Sequence, residues 1–324
     1  MNEKLPFGEE ERYQAGKAQM EIFRSNQYLF WRVVAVKSIR KILFHANEFY
    51  DDLKEDINDN ISESLQDEEM PDFVNGQIRN GWFFEAVSQA EQAIEDLFSL
   101  LMNSKDIAYF AKNVVNYNAV KVKNYIWGFQ TDNIEYIMGE FKLPYFPLDE
   151  PWENQEVFDY YKESVLLIKK YLFDLTSFHK NYYLDYCQYK HGMSIALCPY
   201  GRQHTKSMGE CNSSEGCLMT FDSYSVGKRH QVSGELPLLG MNLTSEIQPY
   251  VSRLHEEGNL LHYSLHVVNI DDIVRITEEA FTLLNILWVN LMKRCEMTDN
   301  DSIQEWAFPL KDYKHYINIG FPVE

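Results

Sequence analysis

The sequence contains no uninterrupted apolar run long enough to cross a membrane, which requires about 20 residues. The apolar stretch YLFWRVVAV is short and is interrupted by Arg32. The first residues, MNEKLPFGEEER, are polar and acidic, so we expect no secretory signal. The five cysteines are odd in number and do not follow the spacing of a disulfide framework. We therefore expect a reduced, cytoplasmic protein with no membrane partner.

Basic residues are scarce: 30 lysines and arginines are outnumbered by 49 acids, which gives a formal net charge of −19. Such a charge excludes nucleic-acid binding over the whole surface, because a polyanion is repelled. The exception is the segment 187–230, where five basic residues outnumber three acids and three histidines are added. This segment permits an anionic ligand, and RNA is the candidate partner there.

Hydrophobic residues make up 45% of the chain, and its 21 tyrosines and 20 phenylalanines exclude a disordered polypeptide. A chain of 324 residues can bury one large core or two smaller ones. Apolar residues recur at spacings of three and four over most of the sequence, which predicts helices. The first such pattern covers roughly residues 9–53, and an acidic stretch at 51–72 follows it.

Four further segments carry the helical spacing. The cleanest in the first half is a stripe formed by Phe83, Val87, Ala90, Ile94, Leu97, Phe98 and Leu101. Ser104 is predicted to cap a helix that continues to Tyr125, with Asn118 interrupting its apolar side. Residues 153–190 predict a helix about 55 Å long. The last pattern covers residues 273–295.

The spacing changes between the last two long helices. Residues 198–216 are polar and rich in glycine and serine, which predicts a loop. Residues 217–226 and 260–268 are rich in β-branched and aromatic residues, which predicts a pair of strands. We therefore predict a mainly α protein, a multi-helix bundle with a small β insertion at about 198–268.

Three parts of the chain are predicted from these patterns. An N-terminal helical segment, 1–72, packs on the main body. The main body is the helical bundle at 73–299, and the C-terminal tail at 300–324 is too apolar to be disordered.

The segment DYCQYKHG, residues 185–192, ends the longest predicted helix. Gly192 is the residue type preferred just past a helix end, and cationic Lys190 and His191 complement the negative end of the helix dipole. Helix termination alone therefore explains these residues. The alternative is chemical: His191 can titrate near neutral pH and act as a general acid or base, while Lys190 stabilises negative charge.

A helical bundle with Tyr-Lys-His-Gly at the end of a long helix, then a β insertion and a final helix, resembles the HEPN-like superfamily of all-α proteins. The resemblance covers about residues 75–297. Many members are RNA-cleaving toxins or phage-defence components, and others have lost activity. Active members carry an arginine a few residues before the histidine, whereas no arginine precedes His191 at that distance. The resemblance implies a metal-independent ribonuclease in which His191 is catalytic and Lys190 substitutes for the missing cation.

A second cation lies before the first clean helix. Arg79 and Asn80 precede Glu85 and Glu91 on this helix, and in a bundle they are expected to approach the end of the 153–190 helix. Arg79 could then supply the cation that the motif lacks. The alternative is a solvated helix N-terminus whose acids are favoured by the helix dipole.

Four potential metal ligands lie within twenty residues of one another: Cys198, His204, Cys211 and Cys217. Tetrahedral Cys/His sets bind Zn²⁺, but structural zinc sites contain a ligand pair separated by two to four residues, and these gaps are longer. We expect no cofactor, with zinc as the alternative that this loop allows. His262 and His266 share one face of a predicted strand, and we expect that face to be polar and outward.

Two functional hypotheses follow. In the first, the protein is an RNA-directed, metal-independent nuclease of toxin or phage-defence type that uses His191, Lys190 and Arg79. In the second, it is a non-enzymatic helical interaction or scaffold protein, homo-oligomeric or bound to a protein partner through aromatic-rich helices.

The nuclease hypothesis predicts that purified protein cleaves total RNA in the presence of a chelator and that His191→Ala abolishes this cleavage. Cleavage is measured by gel electrophoresis of the RNA with both proteins side by side. Absence of cleavage by the wild-type protein would leave helix termination as the role of these residues.

Overall fold

The computed structural model describes residues 8–26, 30–45, 70–143, 148, 155–191, 195–196, 214–223, 232–235, 261–296 and 307–309. The helices in these residues are α1 (Glu9–Asn26), α2 (Trp31–Phe44), α3 (Met70–Asn103), α4 (Phe110–Val115), α5 (Ala119–Trp127), α6 (Ile134–Glu140), α7 (Gln155–His191) and α8 (Ile270–Glu296). A short 3₁₀ turn, Ile107–Tyr109, precedes α4. The predicted fold class, mainly α with a small β insertion between the last two long helices, is confirmed.

The β insertion forms one antiparallel sheet. Its strands are β1 (Ile195–Ala196), β2 (Glu215–Ser223), β3 (Val232–Glu235) and β4 (Leu261–Asn269), in the spatial order β1-β2-β4-β3. The two long strands pair over their full length, from Glu215 opposite Asn269 to Ser223 opposite Leu261. The predicted pair of strands is therefore confirmed, although each boundary differs by a few residues.

The chain divides into two compact units. Unit 1 comprises Met1–Arg32, Gln92–Lys180 and Ile276–Glu324, and unit 2 comprises Val33–Glu91 and Asn181–Arg275. The predicted boundaries at residues 72 and 299 stay predictions; residue 72 lies in the first turn of α3, and residue 299 lies outside the described part of the chain.

Helix α7 buries the predicted apolar stripe. The buried members are Tyr161, Val165, Ile168, Leu172, Leu175, His179 and Tyr186. From Tyr161 to His179 these positions are three or four residues apart, and Tyr186 follows seven residues, or two turns, later, so they lie on one side of the helix. The spacing predicted this 37-residue helix almost to its ends.

The continuous helix predicted from Ser104 to Tyr125 is wrong. The Ser104 amide donates to the Leu100 carbonyl, so Ser104 ends α3 and does not begin a new helix. Asn118 is the N-cap of α5, and its side-chain oxygen accepts the Lys121 amide at 3.0 Å. An asparagine carboxamide stabilises a helix start better than a helix interior, which explains the break.

Aromatic rings and one amide hold the core of unit 1. Phe23, Phe110 and Trp288 contact one another with ring centroids 5.7 to 6.0 Å apart. Asn290 is fully buried on α8; its Nδ2 donates to the Phe141 carbonyl at 3.2 Å, and its Oδ1 accepts the Ala307 amide at 2.9 Å. The amide thus satisfies backbone groups from two distant segments.

Gly16 allows α1 to lie directly against the 3₁₀ turn. A Cβ at this position would overlap the Ile107 carbonyl, which is backbone and cannot rotate away. We expect Gly16→Ala to lower the free energy of unfolding by about 2 kcal/mol because of overpacking, as measured by urea denaturation.

Gly139 in α6 is the matched control, since a Cβ there would have no neighbour within 4 Å. Gly139→Ala should raise stability by roughly 0.5 kcal/mol through helix propensity. Equal effects of the two substitutions would contradict the predicted close approach at Gly16.

Candidate functional site at the end of helix α7

The predicted Lys190-His191 pair ends α7. The helix extends to His191, and Lys190 is exposed with its Nζ 4.0 Å from the centroid of the Tyr186 ring. This is a cation–π contact within the last turn. The side chain of His191 and all of Gly192 lie outside the described residues, so the acid/base role of His191 stays a prediction.

Arg79 is fixed against the sheet of unit 2. Its Nη2 donates to the Glu215 carbonyl at 2.8 Å, and its guanidinium lies 5.3 Å from the centroid of the Phe83 ring. The hydrogen bond positions the first residue of β2, and the contact with Phe83, within α3, orients the guanidinium. The predicted convergence of Arg79 with His191 stays a prediction, because one of the two side chains is not described.

Glu85 confirms that helix α3 approaches the end of α7. The Tyr189 hydroxyl donates to Oε2 of Glu85 at 2.9 Å, while Gln89 Nε2 donates to Oε1 at 2.7 Å. Phe84 stacks on the Tyr189 ring, with centroids 5.6 Å apart. Burial raises the pKa of Tyr189 to about 12, and the adjacent Glu85 carboxyl contributes to this rise. Both oxygens of the carboxylate are therefore already occupied.

A buried histidine–aspartate pair connects the sheet to α7. Nδ1 of His266 lies 3.1 Å from Oδ2 of Asp185, which is fully buried. The Tyr182 ring stacks on the imidazole with centroids 4.2 Å apart, and its hydroxyl donates to the Val267 carbonyl at 3.3 Å. Burial, the larger cause, and the negative charge of Asp185 together raise the pKa of Tyr182 to about 12.

The prediction that His266 faces outward is wrong. Residues of β4 alternate: His266 and Val268 are buried, and Val267 between them is exposed. On the paired strand Gly216, Leu218 and Thr220 are buried, and Leu218 lies opposite His266 in the register. The imidazole can be buried because Asp185 provides a polar partner.

A signal for this pair was present in the sequence. Tyr182, Asp185, Tyr186 and Tyr189 follow the helical spacing, so Asp185 lies within an apolar stripe. A carboxylate in such a position is rarely buried without a partner. The sequence does not show which distant side chain is the partner of Asp185. The side chain of His262, the other histidine predicted on this strand, lies outside the described part of the chain.

The geometry of this end of α7 is suited to holding the sheet in place. His266 is 5% exposed and Asp185 is 0% exposed, so little of either surface is available to a substrate. Arg79 contacts a backbone carbonyl, and Glu85 is hydrogen-bonded through both oxygens. What the arrangement does chemically is orient an imidazole and attach a strand to a helix.

The zinc alternative and the expectation of no cofactor both stay predictions. Cys198, His204 and Cys211 lie outside the described residues, and only the backbone of Cys217 is described, in β2. Within the described part of the chain, no group of three or more His, Cys, Asp or Glu residues is arranged to hold a metal ion. Nor is any helix among the described residues long and apolar enough to cross a membrane.

Comparison of the chain with protein-family models, curated proteins and solved structures finds no match. The resemblance to the HEPN-like superfamily therefore stays a prediction.

A double-mutant cycle tests whether Asp185 and His266 act as a pair. We expect Asp185→Leu and His266→Leu each to lower the free energy of unfolding by about 3 kcal/mol, because each leaves its partner buried without a counterpart. The double variant should lose far less than the sum of the single losses. Urea denaturation followed by circular dichroism measures the effect, and additive losses would contradict the pairing.

Proposed function

We propose that the protein is a non-enzymatic interaction protein whose contact surface lies on α4 and α5 in unit 1. The observation that carries the proposal is a concentration of large exposed apolar side chains in this short stretch. They are Tyr109, Val115, Tyr117, Val120 and Trp127, exposed by 41, 83, 47, 59 and 44%. Single exposed apolar side chains are common, whereas a concentration of several in one short stretch is typical of an interaction surface.

The surface follows from the way α5 is oriented. Val122 and Ile126 are buried, while Val120 and Trp127 lie seven residues apart on the exposed side. Lys123 lies between them with its Nζ 4.8 Å from the centroid of the Trp127 ring. The break at Asn118 supports this arrangement, since residues 115–121 are all exposed around it.

Charged side chains border the apolar ones. Lys112, Lys121 and Lys123 lie in this stretch, and residues 107–131 contain no aspartate or glutamate. These three lysines, together with the five apolar residues given in the first paragraph of this subsection, are called the α4–α5 surface. Exposed rings and lysines of this kind support binding, and residues 107–131 contain no serine, cysteine, histidine, aspartate or glutamate, the residue types that most catalytic sites use.

The contacts at the end of α7 also favour an interaction protein over a nuclease. Arg79, one of the two cations proposed for phosphate binding, donates a hydrogen bond to the Glu215 carbonyl. The nuclease hypothesis depends on His191 and is tested by the RNA-cleavage experiment above.

Cross-linking in cells tests the proposal. The wild-type chain and the triple variant Val115→Ser, Tyr117→Ser, Val120→Ser are each purified after formaldehyde treatment. We expect the amount of co-purifying protein or nucleic acid to be several-fold lower for the variant, because its apolar anchors are absent. Sedimentation velocity on the same proteins shows whether the partner is a second copy of the chain.

The control variant is Leu166→Ser, Phe173→Ser, which removes exposed apolar side chains of α7 in the same unit. It should retain its partners. Equal recovery of partners with all three proteins would contradict the proposal, as would equal loss in both variants.

A further inference from the structure

We infer that the α4–α5 surface binds single-stranded nucleic acid, with bases stacked on its tyrosine and tryptophan rings and phosphates contacted by its lysines. This inference rests on the proposed function and adds the chemical class of the partner. Proteins that bind single strands combine a basic surface with exposed aromatic rings, on which bases stack irrespective of sequence.

The local charge favours a polyanion, although the whole chain carries −19. Residues 107–131 contain three lysines and no acid. Two of the neighbouring carboxylates are paired: Glu140 lies 2.9 Å from Lys105 Nζ, and Asp132 lies 3.6 Å from Lys169 Nζ. With Asp106, which directly precedes the stretch, residues 106–131 carry three lysines against one acid. Charges farther away than about 8 Å are largely screened at physiological salt, so the local lysines dominate.

The side-chain types favour nucleic acid over a protein partner. Lysine is depleted at protein–protein interfaces, whereas lysine and asparagine commonly contact phosphates and base edges. Lys112, Lys121 and Lys123 lie among four asparagines, which are Asn113, Asn116, Asn118 and Asn124. An acidic partner protein is a distinct outcome of the cross-linking experiment above.

The exposed rings favour a single strand over a duplex. Tyr117 and Trp127 are both almost half exposed, and both flank the exposed side of α5. Bases in a duplex are stacked on one another and present no free face, whereas unpaired bases can stack on protein rings. Lys112 and Lys123 lie 5.9 and 4.8 Å from the ring centroids of Tyr109 and Trp127, which places cations beside stacking positions.

Fluorescence anisotropy with labelled oligonucleotides of roughly 15 nucleotides tests the inference. The probes are oligo(U) RNA, oligo(dT) DNA and a duplex of the same length. We expect the wild-type chain to bind one or both single strands and to bind the duplex at least tenfold more weakly. Binding of only one strand type identifies RNA or DNA as the source. The logarithm of the binding constant should fall with the logarithm of salt concentration with a slope of about −2, corresponding to three phosphate contacts.

Two variants separate the two kinds of contact. Lys112→Gln, Lys121→Gln, Lys123→Gln should weaken binding and bring the salt slope close to zero. Tyr117→Ala, Trp127→Ala should weaken binding by roughly tenfold or more per ring while leaving the slope unchanged. Thermal unfolding confirms that each variant is folded.

The matched control removes three lysines from α7 in the same unit, through Lys162→Gln, Lys170→Gln, Lys180→Gln. It should bind like the wild type. The inference is overturned if the wild type binds neither strand, if the duplex binds equally well, or if this control loses as much affinity as the α4–α5 lysine variant.

The cross-linking experiment distinguishes this failure from failure of the proposed function. If the serine variant loses a protein partner and the wild type binds neither oligonucleotide, the proposed function stands and the single-strand inference falls. If the serine variant loses no partner and no oligonucleotide binds, both fall.

Discussion

The contact between Asp185 and His266 determines how the sheet of unit 2 is attached to a helix. A buried carboxylate without a partner would cost several kcal/mol, so burying Asp185 on α7 requires a polar group from elsewhere in the fold. His266 provides it, and the alternation of β4 then decides which face of the strand is inward. Through the register, Leu218 on β2 takes its inward orientation from the same constraint. Tyr182 reinforces the attachment by stacking on the imidazole and donating to the next carbonyl along β4.

The elements that depend on local periodicity could be predicted from the sequence. Helix α7 follows from an apolar repeat that continues for most of its 37 residues, and the paired strands follow from their β-branched and aromatic composition. The break at Asn118 could not be predicted by periodicity, because the residues on both sides of it continue the helical spacing. The break is caused by a single hydrogen bond, which the Lys121 amide donates to the Asn118 side chain. Such a side-chain bond competes with the backbone hydrogen bonds that would continue the helix.

The candidate sites were harder to predict than the fold because they depend on contacts between distant residues. The sequence suggests Arg79 as a cation for phosphate, but its described contacts are with Glu215 and Phe83 in the same unit. The prediction for His266 fails because strand alternation defines two faces of β4 and does not show which of them is inward. The α4–α5 surface does not follow from the predicted continuous helix, because that helix gives no reason for Val115 and Val120 to be exposed. In each case the missing quantity was a partner or a solvent exposure.

The hydrogen bonds of Asn290 determine which positions of the chain can change in sequence. Its amide contacts the carbonyl of Phe141 and the backbone of Ala307, so the side chains at these two partner positions contribute nothing to the hydrogen bonds. Related chains could therefore change residue 141 to any residue and residue 307 to any except proline without losing these bonds, provided that the backbone keeps its course. Position 290 has no such freedom, because aspartate lacks the donor and leucine lacks both groups. Asparagine would thus be conserved at position 290 alone, although the contact joins three separate segments of the chain.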